Sequence, residues 1–397
     1  MAFDFSLTEE HKLIQDTVHK LVKQFESQHS SFRQQIFKEQ VYPEALWQAF
    51  CDAGFMGCLI PEAYGGTGMG LLAATIALET FNSYGFGSPL FVISGMDATC
   101  ILNHGSEELK QRFLPKMATG EIKLCYAHTE PDAGSNVFNT QTMARREGDD
   151  YIINGQKVFI TAADVCDYML LVTRTTSFEE ALKTGNKSYG LSLFVVDTKA
   201  PGLELQYLPL QGLEGSKQFA LFFDNVRVPA ENLVGKENLG AQIIFDSLNP
   251  ERILAAGMAL GMVDMMLQRA TSYACERKVF GGKPIGAYQS ISHPLAEIKI
   301  HQEASRLLTY RSAWAFDQGM PADVVGNYAN MAKLTSADVA IKSVDQAIET
   351  LGGYGFSEEY EIIHFWSTAR VLKTAPITRE MILNFVAEHN LKLPRSY

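Results

Sequence analysis

Apolar side chains recur at three- and four-residue steps near the start of the chain, at Ile14, Val18, Leu21, Val22 and Phe25, which predicts a helix with one buried face. Ser6 and Glu9 stand in the S-x-x-E relation of a capping box and place the helix start there. Helical spacing continues through 45–53 and 71–81, broken by turns at Pro61 and Tyr64-Gly65-Gly66, so the first third reads as an α layer. From about Ile122 the texture changes. Runs at 151–153, 158–160, 168–172, 191–196 and 219–223 are short, rich in β-branched and aromatic residues, and separated by Asp, Gly, Asn and Pro. With no helix between them, they predict a compact antiparallel barrel or sandwich rather than a doubly wound sheet. Beyond Val234 long helical patterns return, as at Val344, Ala347, Ile348 and Leu351, stopped by Gly352-Gly353. The expected class is α+β, in three parts: 1–121, 122–235 and 236–397.

A chain of 397 residues with 46% apolar and 20% charged positions can bury a large core and falls in the ordinary globular range. Its net charge of -11 opposes nucleic-acid phosphates, and no Lys/Arg run forms a basic stripe, so nucleic acid is not an expected partner. No apolar run approaches the roughly twenty residues of a membrane span, and the start MAFDFSLTEEHK has no leader-like pattern. No stable membrane insertion and a cytoplasmic location are expected. Cys51, Cys58, Cys100, Cys125, Cys166 and Cys275 stand singly and read as reduced, partly buried thiols; no metal-ligand spacing is present. The chain carries no G-x-G-x-x-G, no phosphate loop with G-K-[ST] and no G-x-S-x-G elbow, so a dinucleotide would have to bind without a Rossmann loop.

The stretch Tyr126-Ala127-His128-Thr129-Glu130-Pro131-Asp132-Ala133-Gly134-Ser135-Asn136 resembles the TEP-x-AGS(D/N) signature of the acyl-CoA dehydrogenase family. Three further motifs follow in family order: Gly155-Gln156-Lys157-Val158-Phe159-Ile160-Thr161, Glu276-Arg277-Lys278-Val279-Phe280-Gly281 and Leu351-Gly352-Gly353-Tyr354-Gly355-Phe356. The resemblance runs over essentially the whole chain. It implies an N-terminal α-helical domain, a middle antiparallel β-barrel or sandwich and a C-terminal four-helix bundle, binding FAD and an acyl-CoA. It also implies a homotetramer that passes electrons to electron-transferring flavoprotein.

Residue by residue, the resemblance assigns Tyr126, His128, Thr129, Gly134 and Ser135 to the flavin, with Ser135 also reaching substrate. Gly134 allows close backbone approach, and the hydroxyls of Thr129 and Ser135 suit flavin or phosphoryl oxygens. The same stretch also reads as a turn closing a hairpin. Phe159 and Thr161 match an aromatic ring against the flavin and a hydroxyl near its reactive nitrogen. A Trp is common at the first position, and on alternation alone Phe159 would be a core residue. Arg277, Phe280 and Gln289 match positions that reach the FAD of a neighbouring subunit, although Arg277 also reads as a solvated helix face. Gly352 and Gly353 match the turn under the diphosphate and equally suit a helix C-cap. Glu349 stands where a Gln is frequent, and Thr378 and Glu380 complete the implied cofactor set.

The family's usual catalytic glutamate lies in a Y-E-G-T-like stretch near the C-terminus, but here that stretch reads Thr374-Ala375-Pro376-Ile377-Thr378. The isovaleryl-CoA and long-chain branches carry the base on an earlier helix, and Leu248-Asn249-Pro250-Glu251-Arg252 corresponds to it. Glu251 is therefore the implied base, with Asn249 and Arg252 toward the substrate. Such a base requires burial to raise its pKa. Asn249 as N-cap, Pro250 at the first position and Glu251 in the first turn also make an ordinary helix start. Pro376 lacks the N–H that in the family polarises the thioester carbonyl. Either Ile377 supplies it, the correspondence is displaced by a residue, or the flavin's ribityl hydroxyl serves alone. The small Ala375 leaves room for a branched or bulky acyl group, and chain length would be set by helices around Ser94, Gly95 and Ala98. The implied reaction is α,β-dehydrogenation to a trans-2-enoyl-CoA. An enoyl-CoA reductase or flavin oxidase of the same superfamily, or a non-catalytic acyl-CoA-binding flavoprotein, are the alternatives.

Overall fold

The computed structural model describes residues 6–395 and follows the α, β, α order. The first layer holds α1 (Glu9–Gln24), α2 (His29–Gln34), α3 (Glu44–Asp52), α4 (Leu71–Asn82), α5 (Pro89–His104) and α6 (Glu107–Ala118). Next come β1 (Leu124–Ala127), β2 (Met143–Glu147), β3 (Asp150–Thr161), β4 (Tyr168–Arg174), the short α7 (Phe178–Lys183), β5 (Leu191–Asp197), β6 (Leu203–Leu208), β7 (Gln218–Pro229) and β8 (Leu233–Val234). The last layer is α8 (Gly240–Glu276), α9 (Gln289–Asp317), α10 (Ala322–Leu351), α11 (His364–Val371) and α12 (Arg379–Phe385).

The sheet runs β6-β7-β3-β2-β4-β5-β8, with β1 added on β4. It is open at β6 and β8, so it is sandwich-like and not a closed barrel. Most pairs are antiparallel, but β1 and β2 each run parallel to β4, which makes the sheet mixed. The C-terminal layer has three long helices, with the shorter α11 on α10 as fourth member.

Three local expectations change. The first helix is capped by Thr8, whose hydroxyl takes the His11 N–H while His11 Nδ1 takes the Thr8 N–H, so the box lies two residues later than Ser6 and Glu9. A helix does not begin at Asn249: α8 runs through Pro250 without interruption, and Glu251 is an interior residue far from any helix N-terminus. By length and composition α8 also reaches what a membrane span needs, contrary to the sequence reading, but most of it is buried inside the fold as its central helix.

Every residue of α4 except Leu72 is buried, as expected for a helix apolar on all sides and enclosed by α1, α8 and α9. Its approach to α8 is possible because Gly257 and Gly261 sit one turn apart at the crossing. A Cβ on Gly261 would lie 2.1 Å from the Glu79 carbonyl oxygen, and one on Gly257 would lie 2.7 Å from Thr75 Cγ2. Asp317, at the end of α9, caps α4 by accepting the Leu71 and Leu72 N–H groups at 2.6 and 2.9 Å. These contacts tie the first layer to the last and fix the helix that carries Glu251.

Candidate active site

Glu251 lies at the middle of the fold, with Oε2 buried and without a hydrogen-bond partner. Burial pushes its carboxyl up to about 7, against the opposing pull of Arg252 and Lys333. Arg252 is buried and donates to Asn249 Oδ1 at 3.2 Å, while Asn249 Nδ2 donates to the Ala322 carbonyl at the start of α10. Burial lowers the Arg252 guanidinium to about 10. Its charge is thus spent inside the protein beside Glu251. Lys333, on α10, is buried too and is lowered to about 8 by desolvation. Its ammonium donates to the Ile377 carbonyl at 2.5 Å and so ties the C-terminal stretch to the site.

Across from α8, α5 presents Asp97, which is wholly buried with neither oxygen hydrogen-bonded. Burial, and then the nearby Glu251 charge, hold its carboxyl well above the ordinary carboxylate range, which favours the protonated form. Tyr126 on β1 senses both acids, and its hydroxyl meets His128 Nδ1 at 3.1 Å. Burial first and Lys157 second push His128 down to about 3, so its ring is uncharged at neutral pH.

The loop after β1 is braced from β3. Lys157 Nζ donates to Glu130 Oε1 at 2.7 Å and to the His128 carbonyl at 2.9 Å, entirely out of solvent. The Glu130 carboxylate also takes the Gln141 and Thr142 amides at 2.6 and 3.1 Å. Val158 N–H bonds the Thr129 carbonyl at 2.8 Å. Just beyond, the pairing of β3 with β7 shifts register between Lys157 and Ile160, and Phe159 takes φ +60°. A bulge with a non-glycine residue in the left-handed region re-aims a side chain. Phe159 is accordingly 56% exposed, which removes the reading of it as a core residue. Thr161 is buried with its hydroxyl on Gln218, at 3.0 Å from Nε2.

Ser135 and Gly134 lie exposed on the loop, and a Cβ on Gly134 would meet nothing within 4 Å. The same open space lies over Gly352, whose φ of +59° ends α10, and over Gly353, with Glu349 exposed one turn earlier. Backbone bare of neighbours at these three glycines, and separately the out-turned ring of Phe159, leave room for a bulky ligand. Arg277, Phe280 and Gln289 are all exposed, Phe280 at 92%. Arg277 follows Glu251 by 26 residues of helix, about 39 Å at 1.5 Å per residue. This end of α8 therefore cannot share one subunit's site with Glu251. Thr378 caps α12 through the Met381 N–H, Glu380 is exposed in its first turn, and Ala375 is exposed before Pro376.

The structure thus brings Tyr126, His128, Asn249, Glu251 and Arg252 together, braces the loop that carries Thr129, Gly134 and Ser135 through one buried ion pair, and holds Thr161 on Gln218. Sequence reasoning passed over Asp97, Lys157 and Lys333. The available signal was a lone charge within an apolar run.

Sequence profiles agree along nearly the whole chain: "Acyl-CoA dehydrogenase, N-terminal domain" matches 8–121, the middle domain 125–226 and the C-terminal domain 238–391. Acyl-CoA dehydrogenase FadE12 of Mycobacterium tuberculosis (strain H37Rv) is 41% identical over 361 residues, 91% of each chain. Glutaryl-CoA dehydrogenase of Desulfococcus multivorans is 36% identical over 374 residues, 92% of each. Among solved structures, the glutaryl-coenzyme A dehydrogenase glutaryl-CoA complex superposes with a TM-score of 0.90 at 32% identity, covering 99% of this chain and 98% of the other.

Proposed function

Since this chain belongs to the acyl-CoA dehydrogenase family, whose members use FAD, we propose that it converts an acyl-CoA to the trans-2-enoyl-CoA with Glu251 as the base. The observation that carries the reading is the unpartnered, buried Oε2 of Glu251, on a carboxyl raised to about 7. A base is most effective when its pKa lies near working pH, and desolvation by the surrounding helices supplies that here. The C-terminal stretch 374–378 carries no carboxylate to compete for the role.

Thr129, Gly134, Ser135, Phe159 and Thr161 would hold the flavin from one subunit, and Arg277, Phe280, Gln289, Gly352 and Gly353 from a neighbour in a tetramer. When bound, FAD supplies the oxidising power by accepting the β-hydride. The protein's own part is to place the α-carbon at Oε2 of Glu251, which takes the α-proton. Arg252 and Lys333 offset the charge of the carboxylate before the transfer. Lys333 also holds the Ile377 carbonyl, orienting the segment whose Ile377 N–H is left to polarise the thioester, since Pro376 has none. Electrons then leave to electron-transferring flavoprotein.

Anaerobic mixing of the FAD-loaded protein with short, branched and long acyl-CoAs tests the reading. Flavin bleaching without oxygen that is lost in Glu251→Gln supports it; bleaching that survives the substitution overturns the assignment of the base.

A further inference from the structure

Helices α5 and α8 run antiparallel past one another, and their facing residues can be read off three contacts. Cys100 faces the Ser247 hydroxyl. Gly95, one and a half turns earlier on α5, touches Leu254, with its Cβ position 3.1 Å from Leu254 Cδ1. Between these contacts, Asp97 faces the turn of α8 that carries Glu251, and the two side chains interact electrostatically. Neither makes a hydrogen bond to the other, and three of their four oxygens are buried without any partner.

Resting on the dehydrogenase reading of this site, we propose that Asp97 is a specificity-determining residue that takes a hydroxyl group carried by a short acyl chain.

The chemistry of the pair selects the ligand. A neutral carboxyl has one O–H to give and lone pairs to fill, and a buried polar group left without partners is costly, so its complement is a group that both donates and accepts. A hydroxyl does both. An anionic tail is disfavoured, because it would stand beside Glu251 once that carboxyl ionises, and a methyl would leave both Asp97 oxygens unmet. The position also limits length. Immediately beyond Asp97 the Gly95 Cβ position is 3.1 Å from Leu254 Cδ1 and equally from Leu59 Cδ1. The space these residues line together with Phe50, Phe55, Leu78 and Phe91 holds about 10 Å³, no more than one water. On this proposal a short chain would end level with Asp97, and a long aliphatic tail would find almost no open space toward Gly95 and Leu254.

The test uses the FAD-loaded protein and acyl-CoAs bearing a hydroxyl at C3, C4 or C5, each matched with the chain that has a methyl in its place, plus glutaryl-CoA. Dissociation constants come from perturbation of the flavin spectrum, and rates from anaerobic bleaching. For at least one pair the wild-type protein should bind the hydroxyl member more tightly, and Asp97→Val should shift that preference by about tenfold toward the methyl member, the scale of one net hydrogen bond. Asp97→Asn, which still donates and accepts, should keep the preference. Glutaryl-CoA should bind more weakly than the preferred hydroxyacyl chain. The proposal is overturned if wild type and Asp97→Val show the same ratios in all three pairs, the result expected when a trapped water alone satisfies Asp97. It is overturned equally if wild type favours every methyl member, which can be read even where a variant does not fold. Selective binding without bleaching would instead overturn the dehydrogenase reading and leave the Asp97 assignment standing.

Discussion

Replacing Glu251 by Gln should separate what the carboxylate does for the reaction from what it costs the fold. The group is raised from its ordinary 4.5 to about 7, chiefly by burial. A raised folded-state pKa means that the folded protein holds the proton more tightly than the unfolded chain. The resulting stabilisation is therefore complete below about 4.5 and is lost as pH rises through about 7. At about 1.4 kcal/mol per tenfold change in proton affinity, keeping the carboxylate charged above pH 8 costs on the order of 2–3 kcal/mol, allowing for partial solvent access. Gln is neutral and nearly the same shape. Its variant should thus unfold at a higher temperature than wild type at pH 8.5, and the two midpoints should converge toward pH 5. Over the same range the wild-type rate of flavin bleaching should climb about tenfold per pH unit up to near 7 and then level. The variant should bind acyl-CoA but bleach roughly 10²–10⁴-fold more slowly. Thermal scans across pH and anaerobic stopped-flow mixing measure both. A variant that is less stable than wild type at pH 8.5, or one that bleaches at the wild-type rate, would refute the argument.

Lys333→Met removes one of the two charges that pull the Glu251 carboxyl down, so the rising limb of the pH–rate profile should move to higher pH; an unmoved limb would show that Lys333 is too well screened to matter. Lys157→Met leaves the Glu130 carboxylate buried without its cation, and breaking such a pair costs about 3–5 kcal/mol. The loop that carries Thr129, Gly134 and Ser135 should loosen, lowering the ratio of FAD to protein recovered after gel filtration. Gly261→Ala forces a methyl to within 2.1 Å of the Glu79 carbonyl and should destabilise by about 1–3 kcal/mol or more, read as a lower thermal midpoint. Asp317→Ala strips two N–H groups of α4 of their acceptor at a cost of about 0.5–2 kcal/mol; an unchanged midpoint would mean water replaces it.

The layers were legible because burial imposes periodicity. Ile14, Val18, Leu21 and Val22 are all buried on α1, and the strand runs at 168–172 and 191–196 fall within β4 and β5. Period says nothing about partner direction, so the parallel placing of β1 on β4 could not be read. Local signatures misled where tertiary burial outweighs them. Asn249-Pro250-Glu251 has every mark of a helix start, yet α8 is enclosed by α4, α5, α9 and α10 and continues through it. Only the missing Pro250 N–H, which leaves the Asp246 carbonyl without its helical donor, records the conflict. Phe159 needed the bulge, Lys333 the meeting of α10 with Glu251, and Asp97 the register of two helices far apart in sequence. None of these relations exists until the chain is folded.

For Glu251 as the proposed base, its place on α8 has a physical consequence. A carboxylate on a terminal segment can swing, but one on a helix held by glycine contact with α4 has little freedom, and side chains on packed helices are positioned more exactly than those on loops. The segment 374–378 joins α11 to α12, exposed at Thr374 and Ala375 and tethered to the interior through Lys333 and the Ile377 carbonyl. On the proposed mechanism, substrate would be brought to a fixed base with this segment on the thioester side. Because one ammonium bonds the Ile377 carbonyl and acts on Glu251 electrostatically, Lys333 would couple them: it lowers the proton affinity of Glu251 and holds the segment proposed to polarise the thioester. Lys333→Met should therefore lower the bleaching rate at saturating acyl-CoA even well above pH 7, where Glu251 is already ionised. A variant whose only change is a displaced pH limb, with full rate at high pH, would show that the tether contributes nothing to the reaction.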